Sequence, residues 1–539
     1  MTIDEGRTRN RGAIAWFGSP VPLEGRNEFL ARQFLAADQP CTDAQLADPI
    51  FLSGLAATIF TQDVEKPNLI VRDLEKHGRR LLDWDCRIVA RSATKPGTKL
   101  ADLLGRVIVN GRRLPVAGLP AIEGKPFEPS ETPYPHIHVF EQEVPWAVIA
   151  DSVVEHPPDK PPDSTLRIIG PGKTLISPET EILLQRAFED CVEVYLVSID
   201  GGHSGVPVFR AYAELKEGQH GRWPLPYFVK VGDRDKIYTE YWNYQNKVDP
   251  YVPFHLGPHL IPKRCHLGAL EGVIVGDWVD ESEALTGCAS GGRAAAAISC
   301  LFDRTLYGWH REAEKKQMSI VKTLGQYFPN PKSFPPARLA KARELGATST
   351  PRDLQKLFRR CRSVPVLMGP IHGDLHAKNV HVRAMDAIVI DFFRHDEGPL
   401  VYDPACLEAG LLVEGFSNEI KSSDKDHDND KEVQRILEWL HSIDTLYDHV
   451  PLSRAPVHAK PKNPSAWFHA CVRQIRLYAE QMECCRGQYA AALALALLIK
   501  ASKDPALPDP EASRRAAAYL LAERLLTMTF PPERKKKKK

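Results

Sequence analysis

Three oxygen-bearing side chains suited to metal and phosphate chemistry lie close together in the C-terminal half of the chain. Asp374 and Asn379 are five residues apart in Ile371-His-Gly-Asp-Leu-His-Ala-Lys-Asn379, and Asp391 follows in Ile-Val-Ile-Asp-Phe-Phe393. Apolar residues precede each cluster, so we expect a strand to deliver Asp391 to a loop. Carboxylate and amide oxygens are ligands that Mg²⁺ prefers. The pattern predicts a site that handles a metal-bound polyphosphate.

This stretch resembles the catalytic and metal loops of the aminoglycoside phosphotransferase and choline kinase-like superfamily, which has a protein-kinase-like fold. The motif there reads His-Gly-Asp-Leu/Phe-His-x-x-Asn, followed by an apolar strand ending in Ile-Asp-Phe, and this chain has each of those residues. The resemblance implies that Asp374 orients the acceptor hydroxyl and accepts its proton. It implies that Asn379 and Asp391 hold Mg²⁺ while ATP donates the phosphoryl group.

The residues that follow narrow the resemblance. The continuation from Glu397 to Ala405, with Leu407 and Glu408, is similar to the phosphotransferase-like group of the bacterial ternary complex associated domain. The same resemblance implies that His372 supports the catalytic loop and that His376 lies near the metal pair without binding Mg²⁺.

A lysine inside an apolar strand is the next candidate. Lys230 stands in an apolar alternation, and buried lysines are costly unless they are paired. On the kinase-like resemblance Lys230 binds the nucleotide phosphates, and Glu240, at the start of a helix predicted over 238–248, is its ion-pair partner. Asp233 or Asp235 could take the place of Glu240. The alternative is a lysine on the open face of a sheet.

A glycine-rich hairpin precedes this lysine strand. Two apolar strands, Val192 to Ile199 and Val206 to Ala213, are predicted to flank a turn in which small residues allow a close backbone approach to phosphates. The candidate nucleotide-binding residues of the turn are Gly201, Gly202, Ser204 and Gly205. An ordinary hairpin turn would have the same pattern.

The segment from Gly272 to Asp280 resembles the hinge strand that joins the two lobes of a kinase-like fold. The resemblance implies that backbone groups near Asp277 and Val279 bind the adenine edge. Apolar residues at a 3.6-residue period predict a long helix after Gly291 that runs through Trp309. Further helices, predicted at about 433–447, 466–500 and 511–528, would complete a helical C-lobe.

The stretch from Leu166 to Thr174 imitates a phosphate-binding P-loop. It offers a strand, then Gly-Lys-Thr, then a helix that starts at Ser177. A P-loop also needs a glycine five positions before Gly172, where this chain has Arg167. A simple turn, at the point where a linker enters the next domain, accounts for the pattern.

Residues from about 12 to 155 alternate predicted strands and helices, which indicates a parallel sheet. The predicted strands are Ala13–Phe17, Leu55–Thr61 and Cys86–Ala90, and the predicted helices are Glu28–Ala37 and Val71–Leu82. The order resembles a response-regulator receiver domain. A phosphorylatable receiver needs an acidic pair after its first strand, where this chain has Gly18-Ser19. We therefore expect a degenerate receiver-like module that contacts a protein partner.

Composition limits the class of protein. A chain of 539 residues with a formal net charge of +1 predicts two or three domains and favours neither nucleic acid nor membrane as a partner. Eleven cysteines without paired CxxC spacing, and no signal-peptide pattern, predict a cytoplasmic protein. The basic run Arg534 to Lys539 is interpreted as a solvated tail, with contact to an anionic partner as the alternative.

These observations predict an α+β protein with a bilobal protein-kinase-like fold, an antiparallel β N-lobe and a helical C-lobe. The expected domains are residues 1–160 (α/β), 161–280 (N-lobe), 281–533 (C-lobe) and 534–539 (basic tail). The expected function is ATP- and Mg-dependent phosphoryl transfer to a hydroxyl of an unidentified small molecule or protein, in a bacterial signalling or conflict system. A nucleotide-binding pseudokinase scaffold and a nucleotidyl transferase are the alternatives.

Overall fold

The structure is a computed structural model, and contacts between residues divide the chain into two compact units. The first unit is Met1–Tyr241 with His259–Trp278, and the second is Trp242–Pro258 with Val279–Lys539. The described residues are 11–61, 69–92, 108–109, 112–113, 137–141, 143–155, 158, 161–199, 207–216, 226–279, 281–289, 292–362, 364–416, 429–448, 452, 465–503 and 512–530. Among the described helices, none has the length and apolar character needed to cross a membrane. All eleven cysteines are free thiols.

The first unit begins with a parallel sheet. Its strands are β1 Ala13–Phe17, β2 Leu35–Ala36, β3 Leu55–Thr61, β4 Arg87–Ser92 and β7 Ile137–Glu141, in the order β2-β1-β3-β4-β7, with a separate hairpin of β5 Ile108–Val109 and β6 Arg112–Arg113. Its helices are α1 Leu23–Ala31, α2 Asp43–Ala47, α3 Pro49–Gly54, α4 Leu69–Asp83 and α5 Trp146–Glu155. Strand β3 is apolar and buried over nearly its whole length, as expected for a strand of a parallel sheet covered on both faces.

The helix predicted from Glu28 to Ala37 is wrong in its bounds. Helix α1 ends at Ala31, and Gln33 has a left-handed φ of 64°, which stops the helix. The chain then enters β2, and Phe34 packs edge-on against Phe29 at a centroid distance of 6.5 Å. Phe34 therefore belongs to the core after the helix and is not part of its apolar face.

A six-stranded sheet follows in the same unit. Its strands are β8 Arg167–Ile169, β9 Cys191–Ser198, β10 Val208–Leu215, β11 Tyr227–Asp233, β12 His266–Leu267 and β13 Glu271–Asp277, in the order β12-β13-β11-β10-β9-β8, with helices α6 Pro178–Ala187 and α7 Arg234–Asn243. Pairing is antiparallel except between β8 and β9. The Gly-Lys-Thr stretch lies in a 3₁₀ turn where a Cβ on Gly172 would clash with the Phe209 ring, so close packing explains this glycine.

Buried polar groups join the parallel sheet's domain to the six-stranded sheet. Asp83, at the end of α4, accepts the Ala269 amide at 2.9 Å. Asp85 and Arg186 form an ion pair at 3.3 Å in which both side chains are only 2% exposed. Glu179, on α6, lies beside Asp83 and accepts the amides of the turn before β13. The two parts of the first unit therefore share a buried, charge-paired contact.

The second unit combines two small antiparallel sheets with many helices. Its strands are β14 Glu283–Ala284, β15 Glu314–Lys316, β16 Val366–Ile371, β17 Val380–Arg383, β18 Asp386–Val389 and β19 Asp396–Pro399, in sheets β14-β17-β18 and β15-β16-β19. Its helices are α8 Leu285–Ala289, α9 Ala294–Cys300, α10 Tyr307–Arg311, α11 Ile320–Leu324, α12 Pro336–Glu344, α13 Pro351–Phe358, α14 Tyr402–Glu414, α15 Asn429–Ile443, α16 Ala466–Met482, α17 Gln488–Ser502 and α18 Ala512–Thr529. Mixed sheet and helix content confirms the predicted α+β class.

Two predicted helices of this unit are interrupted. The helix expected through Trp309 divides into α9, a π-helical turn at Leu301–Thr305 and α10, and the Thr305 hydroxyl donates to the Ala387 carbonyl oxygen at 2.7 Å. The helix expected over 466–500 divides into α16 and α17. Gly487 stands between them with a φ of 91°, a conformation that favours glycine.

Candidate active site

The catalytic-loop motif begins where β16 ends, and a buried carboxylate fixes its backbone. Asp403, near the start of α14, accepts the amides of His372 at 2.8 Å and Gly373 at 3.1 Å. His372 is fully buried; its Nε2 donates to the Ile390 carbonyl oxygen at 3.0 Å, and its Nδ1 accepts the Asp374 amide at 3.3 Å. Because the carbonyl only accepts, the ring hydrogen lies on Nε2. His372 thus ties the loop to the strand that precedes Asp391.

Asp374 and Asn379 are joined through the loop backbone. The Asn379 Nδ2 donates to the Asp374 carbonyl oxygen at 3.0 Å, and the Asn379 carbonyl accepts the Ile390 amide at 3.0 Å. The side-chain amide is thereby oriented by its nitrogen, which leaves Oδ1 as the atom suited to a hard cation.

Asp391 follows β18 in a left-handed conformation, with φ 68° and ψ 72°. Aspartate is one of the few non-glycine residues that enter this region, and such backbone strain is concentrated at functional sites. The short turn after it is held in place, because Asn243 Nδ2 donates to the Phe392 carbonyl oxygen at 2.9 Å and the Phe392 ring packs against His372. The chain therefore fixes Asp391 relative to the catalytic loop.

Metal binding at this place would use two protein ligands. Among the described residues, no group of three or more His, Cys, Asp or Glu side chains is placed to hold a metal ion. Asn379 and Asp391 fit a Mg²⁺ ion of the kind that takes one or two protein ligands and completes its coordination with water and substrate phosphates. The donor set thus fits a metal that arrives with a nucleotide.

Cations around Asp374 set its charge state. Burial by itself raises the pKa of Asp374, but the positive charges of His376 (when its ring is protonated), Lys503, Arg394 and Lys500 outweigh it, so the pKa of Asp374 lies below its ordinary value. Burial also lowers the pKa of His376, which leaves the ring less readily charged at neutral pH. Asp374 is therefore an ionised group that can orient a hydroxyl.

A buried charge chain runs beside Asp374, and the motif did not predict it. Lys500 on α17 forms an ion pair with Glu414 at the end of α14, and Glu414 Oε2 lies 3.5 Å from His376 Nδ1. Glu414 has 1% of its side chain exposed and Lys500 6%. A charged residue inside an apolar helix needs a partner. In the sequence, Glu414 and Lys500 are therefore the residues that could have indicated this buried charge chain.

Glu408, which the resemblance did not place, lies in the core. It receives two hydrogen bonds from Arg476, at 2.8 and 3.1 Å, and one from the Tyr489 hydroxyl at 2.7 Å. The carboxylate is fully buried. This arrangement links α14, α16 and α17 and does not provide an acceptor site.

Lys230 and Glu240 lie together in the first unit. Lys230 Nζ and Glu240 Oε2 are 2.6 Å apart, and each residue is 8% exposed. On its strand Lys230 pairs with Val208 of β10 and Ile274 of β13, so it stands in the centre of the sheet. Helix α7 begins at Arg234, earlier than predicted, which places Glu240 inside the helix and not at its start.

The other predicted nucleotide contacts are the glycine-rich turn and the backbone at Asp277 and Val279. Gly201, Gly202, Ser204 and Gly205 lie outside the described residues. The Asp277 amide donates to the His259 carbonyl oxygen at 2.8 Å. Adenine recognition by that amide would require this bond to be replaced. The Val279 carbonyl oxygen accepts the Ser282 hydroxyl at 2.7 Å.

No family model and no curated protein matches the chain. Solved structures do match. An amicoumacin kinase in complex with AMP-PNP, Ca²⁺ and Ami is 11% identical over 62% of this chain and 88% of its own, with a TM-score of 0.34. An aminoglycoside phosphotransferase, APH(3'')-Id from Streptomyces rimosus, is 15% identical over 56% and 99%, with a TM-score of 0.26. A glucosamine kinase is 10% identical over 63% and 92%, with a TM-score of 0.29.

The predicted resemblance to aminoglycoside phosphotransferases is confirmed in the sense that solved structures of this kind match the chain. With identities of 10 to 15% and TM-scores below 0.5, the matches give no detail about the site.

Proposed function

We propose that the chain is an ATP- and Mg²⁺-dependent phosphotransferase that transfers the γ-phosphoryl group to a hydroxyl of a small molecule or protein. The observation that carries the proposal is the fixed catalytic loop, in which Asp403 and His372 hold Asp374 and Asn379 relative to Asp391. Folding alone does not require these polar groups to coexist with a buried Lys230–Glu240 pair.

In the proposed mechanism each residue has one task. Asp374 orients the acceptor hydroxyl and accepts its proton. Asn379 Oδ1 and the Asp391 carboxylate hold Mg²⁺, which neutralises phosphate charge when bound. Lys230, positioned by Glu240, binds nucleotide phosphates together with the backbone of Gly201, Gly202, Ser204 and Gly205, and Asp277 and Val279 receive the adenine. Phosphoryl transfer needs positioning and charge neutralisation more than covalent chemistry, and this set supplies both.

The first domain fits a degenerate receiver-like module within this proposal. Its all-parallel strand order, 2-1-3-4-5, is the flavodoxin-like order. At the end of β3 the Thr61 hydroxyl donates to the carbonyl oxygens of Phe17 and Ser19, at 3.0 and 2.6 Å. Because the Thr61 hydroxyl binds these two carbonyl oxygens, it supports a structural role for Thr61 at the strand ends. The exposed side chains of Leu23, Leu30 and Leu35 support contact with a protein partner.

The setting of the activity follows from the resemblance and from the state of the cysteines. The resemblance to the ternary complex associated domain group favours a bacterial signalling or conflict system. Eleven free cysteines favour the cytoplasm.

A nucleotide thermal-shift assay tests the proposal. AMP-PNP with Mg²⁺ should raise the unfolding temperature of the full chain, because a ligand that binds only the folded state stabilises it. The Asp391→Asn variant should lose the part of the shift that depends on Mg²⁺ and keep its unliganded unfolding temperature. A shift with no ATP turnover on any acceptor would favour the scaffold alternative, and no shift at all would contradict nucleotide binding.

A further inference from the structure

Two cations beside Asp374 have no assigned task in phosphoryl transfer. Arg394 Nε lies 3.7 Å from Asp374 Oδ2, beyond hydrogen-bond length, and 53% of the Arg394 side chain is exposed. Its backbone is fixed, because the Arg394 carbonyl oxygen packs against Gly373, which has a φ of 76° and no room for a Cβ. The guanidinium is thus held at the edge of the catalytic loop with its donors open to solvent.

Lys503 is the second cation. It follows Ser502 at the end of α17, three positions after Lys500, so the two lysines lie on neighbouring turns of one face. Lys500 reaches the charge chain under Asp374, and the charges of Lys503 and Asp374 act on each other. Within the described part of the chain Lys503 Nζ has no ion-pair or hydrogen-bond partner, although the side chain is partly buried.

Capping of the helix does not explain Lys503. A lysine at a helix C-terminus often serves the last carbonyl groups. Here Arg338 donates to the carbonyl oxygens of Ala501, at 2.7 Å, and Lys503, while Arg515 donates to that of Lys500 at 2.9 Å. These carbonyl oxygens are bound by arginines, so the Lys503 amine does not cap the helix.

The carboxylates near these cations have other partners, although Glu414 Oε2 accepts no hydrogen bond among the described residues. Glu414 is paired with Lys500, and Asp403 accepts two backbone amides. The Asp396 carboxylate accepts the Tyr327 hydroxyl at 3.3 Å. Burial and the like charge of Lys500 lower the pKa of Lys503, as expected for a cation that lacks full compensation. Among the described residues, Lys503 is therefore the cation beside Asp374 for which none of these carboxylates serves as a hydrogen-bond or ion-pair partner.

We propose that Lys503 and Arg394 form an anion-binding site beside Asp374, so that the acceptor carries a carboxylate or phosphate group near its reactive hydroxyl. The inference rests on the proposed function, because it assigns Asp374 to the acceptor. A cationic acceptor such as an amino sugar would lie beside the positive charges of Lys503 and Arg394 and be disfavoured. An anion would gain charge-assisted hydrogen bonds from both side chains.

Sulfate, titrated at constant ionic strength against sodium chloride, is the probe for this site. The full chain is first saturated with AMP-PNP and Mg²⁺, so that the γ-phosphate position is filled, and the unfolding temperature is followed as sulfate is added. A saturable further rise is expected. Lys503→Met should weaken the apparent sulfate affinity by about tenfold, as expected for one lost charge-assisted contact, and Lys503→Arg should restore it. Acetate and phosphate titrations then distinguish a carboxylate from a phosphate site.

The matched control is Lys356→Met, since Lys356 is 73% exposed and pairs with Asp353 on its own helix. It should leave the sulfate affinity unchanged. The inference is overturned if sulfate gives no saturable rise, if Lys503→Met binds it like the wild type, or if AMP-PNP abolishes sulfate binding, which would place the anion at the γ-phosphate position. A missing AMP-PNP shift contradicts the proposed function instead, and the effect of Lys503→Met on sulfate binding to the nucleotide-free protein then decides the anion site.

Discussion

The carboxylate of Asp374 owes its ionised state to its neighbours. Lys503, Arg394 and Lys500 offset the cost of burial, so that the pKa of Asp374 stays below its ordinary value. A carboxylate whose conjugate acid has a low pKa is a weak base. In the proposed mechanism Asp374 therefore first orients the acceptor hydroxyl, and its carboxylate accepts the hydroxyl proton only as the phosphoryl group is transferred.

Replacing Asp374 separates this task from nucleotide binding. Asp374→Asn should reduce kcat by about 10²- to 10⁴-fold, the usual range for a positioned acid or base, and leave AMP-PNP affinity unchanged. Steady-state kinetics with the acceptor and calorimetric titration of AMP-PNP give the two quantities. A variant that keeps full turnover would remove Asp374 from the mechanism.

Glu240 compensates a buried lysine, so its removal should cost stability. Glu240→Gln leaves the Lys230 charge without its 2.6 Å partner, and breaking a buried pair in this way costs about 3–5 kcal/mol in free energy of unfolding. Denaturant unfolding measures the loss. The control is Asp38→Asn at the exposed Arg26–Asp38 pair, where less than about 1 kcal/mol is expected. If Glu240→Gln and Asp38→Asn lost the same unfolding free energy, the buried Lys230 charge would not depend on Glu240 for its compensation.

At the scale of elements, helix α14 anchors the catalytic loop. Asp403 is 1% exposed and accepts both the His372 and the Gly373 amide. Asp403→Ala leaves two amides without an acceptor, at about 1–3 kcal/mol each, and should lower kcat because Asp374 loses its support. Asp403→Asn keeps one side-chain carbonyl oxygen as an acceptor. It should therefore lose less unfolding free energy and less kcat than Asp403→Ala. If Asp403→Ala had the same unfolding free energy and the same kcat as the wild type, the catalytic loop would not depend on Asp403.

Local patterns predicted some elements well and others only partly. Strands Ala13–Phe17 and Leu55–Thr61 were predicted with the bounds that the structure has, because each is a short apolar run with clear ends. Helices were overextended where a single residue breaks them, as at Gln33 and Gly487, since a left-handed turn leaves the apolar period on either side unchanged.

The same limit applies to the site. The motif identified Asp374, Asn379 and Asp391, because their types and spacing lie within one short stretch of sequence. It gave no place to Lys500 and Lys503, which are more than a hundred residues away in the chain and reach Asp374 only through the packing of α17 on α14. Contacts of this kind depend on tertiary structure and leave only an indirect signal, a charge at the end of an apolar helix.

At the scale of the whole molecule, a buried carboxyl pair connects pH to the stability of the first unit. Burial and the neighbouring Glu179 carboxylate raise the pKa of Asp83 to about 8. Between its ordinary value of 3.8 and about 8, the folded state holds a proton that the unfolded chain releases. Stability from this group is therefore present at low pH, falls as the pH rises through this interval, and levels off above it.

The Asp83→Asn variant isolates this effect, because it resembles the protonated acid at every pH. The unfolding free energy of the wild type minus that of the variant should fall between pH 4 and pH 8, roughly the interval between the two pKa values. Thermal or urea unfolding across this range supplies the difference. A difference that is constant, or that rises with pH, would mean that Asp83 is ionised at the contact.

Transfer of label from ATP to an acceptor is the direct measure of phosphoryl transfer. The full chain is incubated with Mg²⁺, candidate hydroxyl acceptors and ATP labelled at either the α or the γ position, beside the Asp391→Asn variant. We expect label to reach the acceptor only from the γ position, only with Mg²⁺, and not with the variant. Transfer of the α label would show nucleotidyl transfer, and γ transfer that persists without Mg²⁺ or in Asp391→Asn would contradict the assigned metal site.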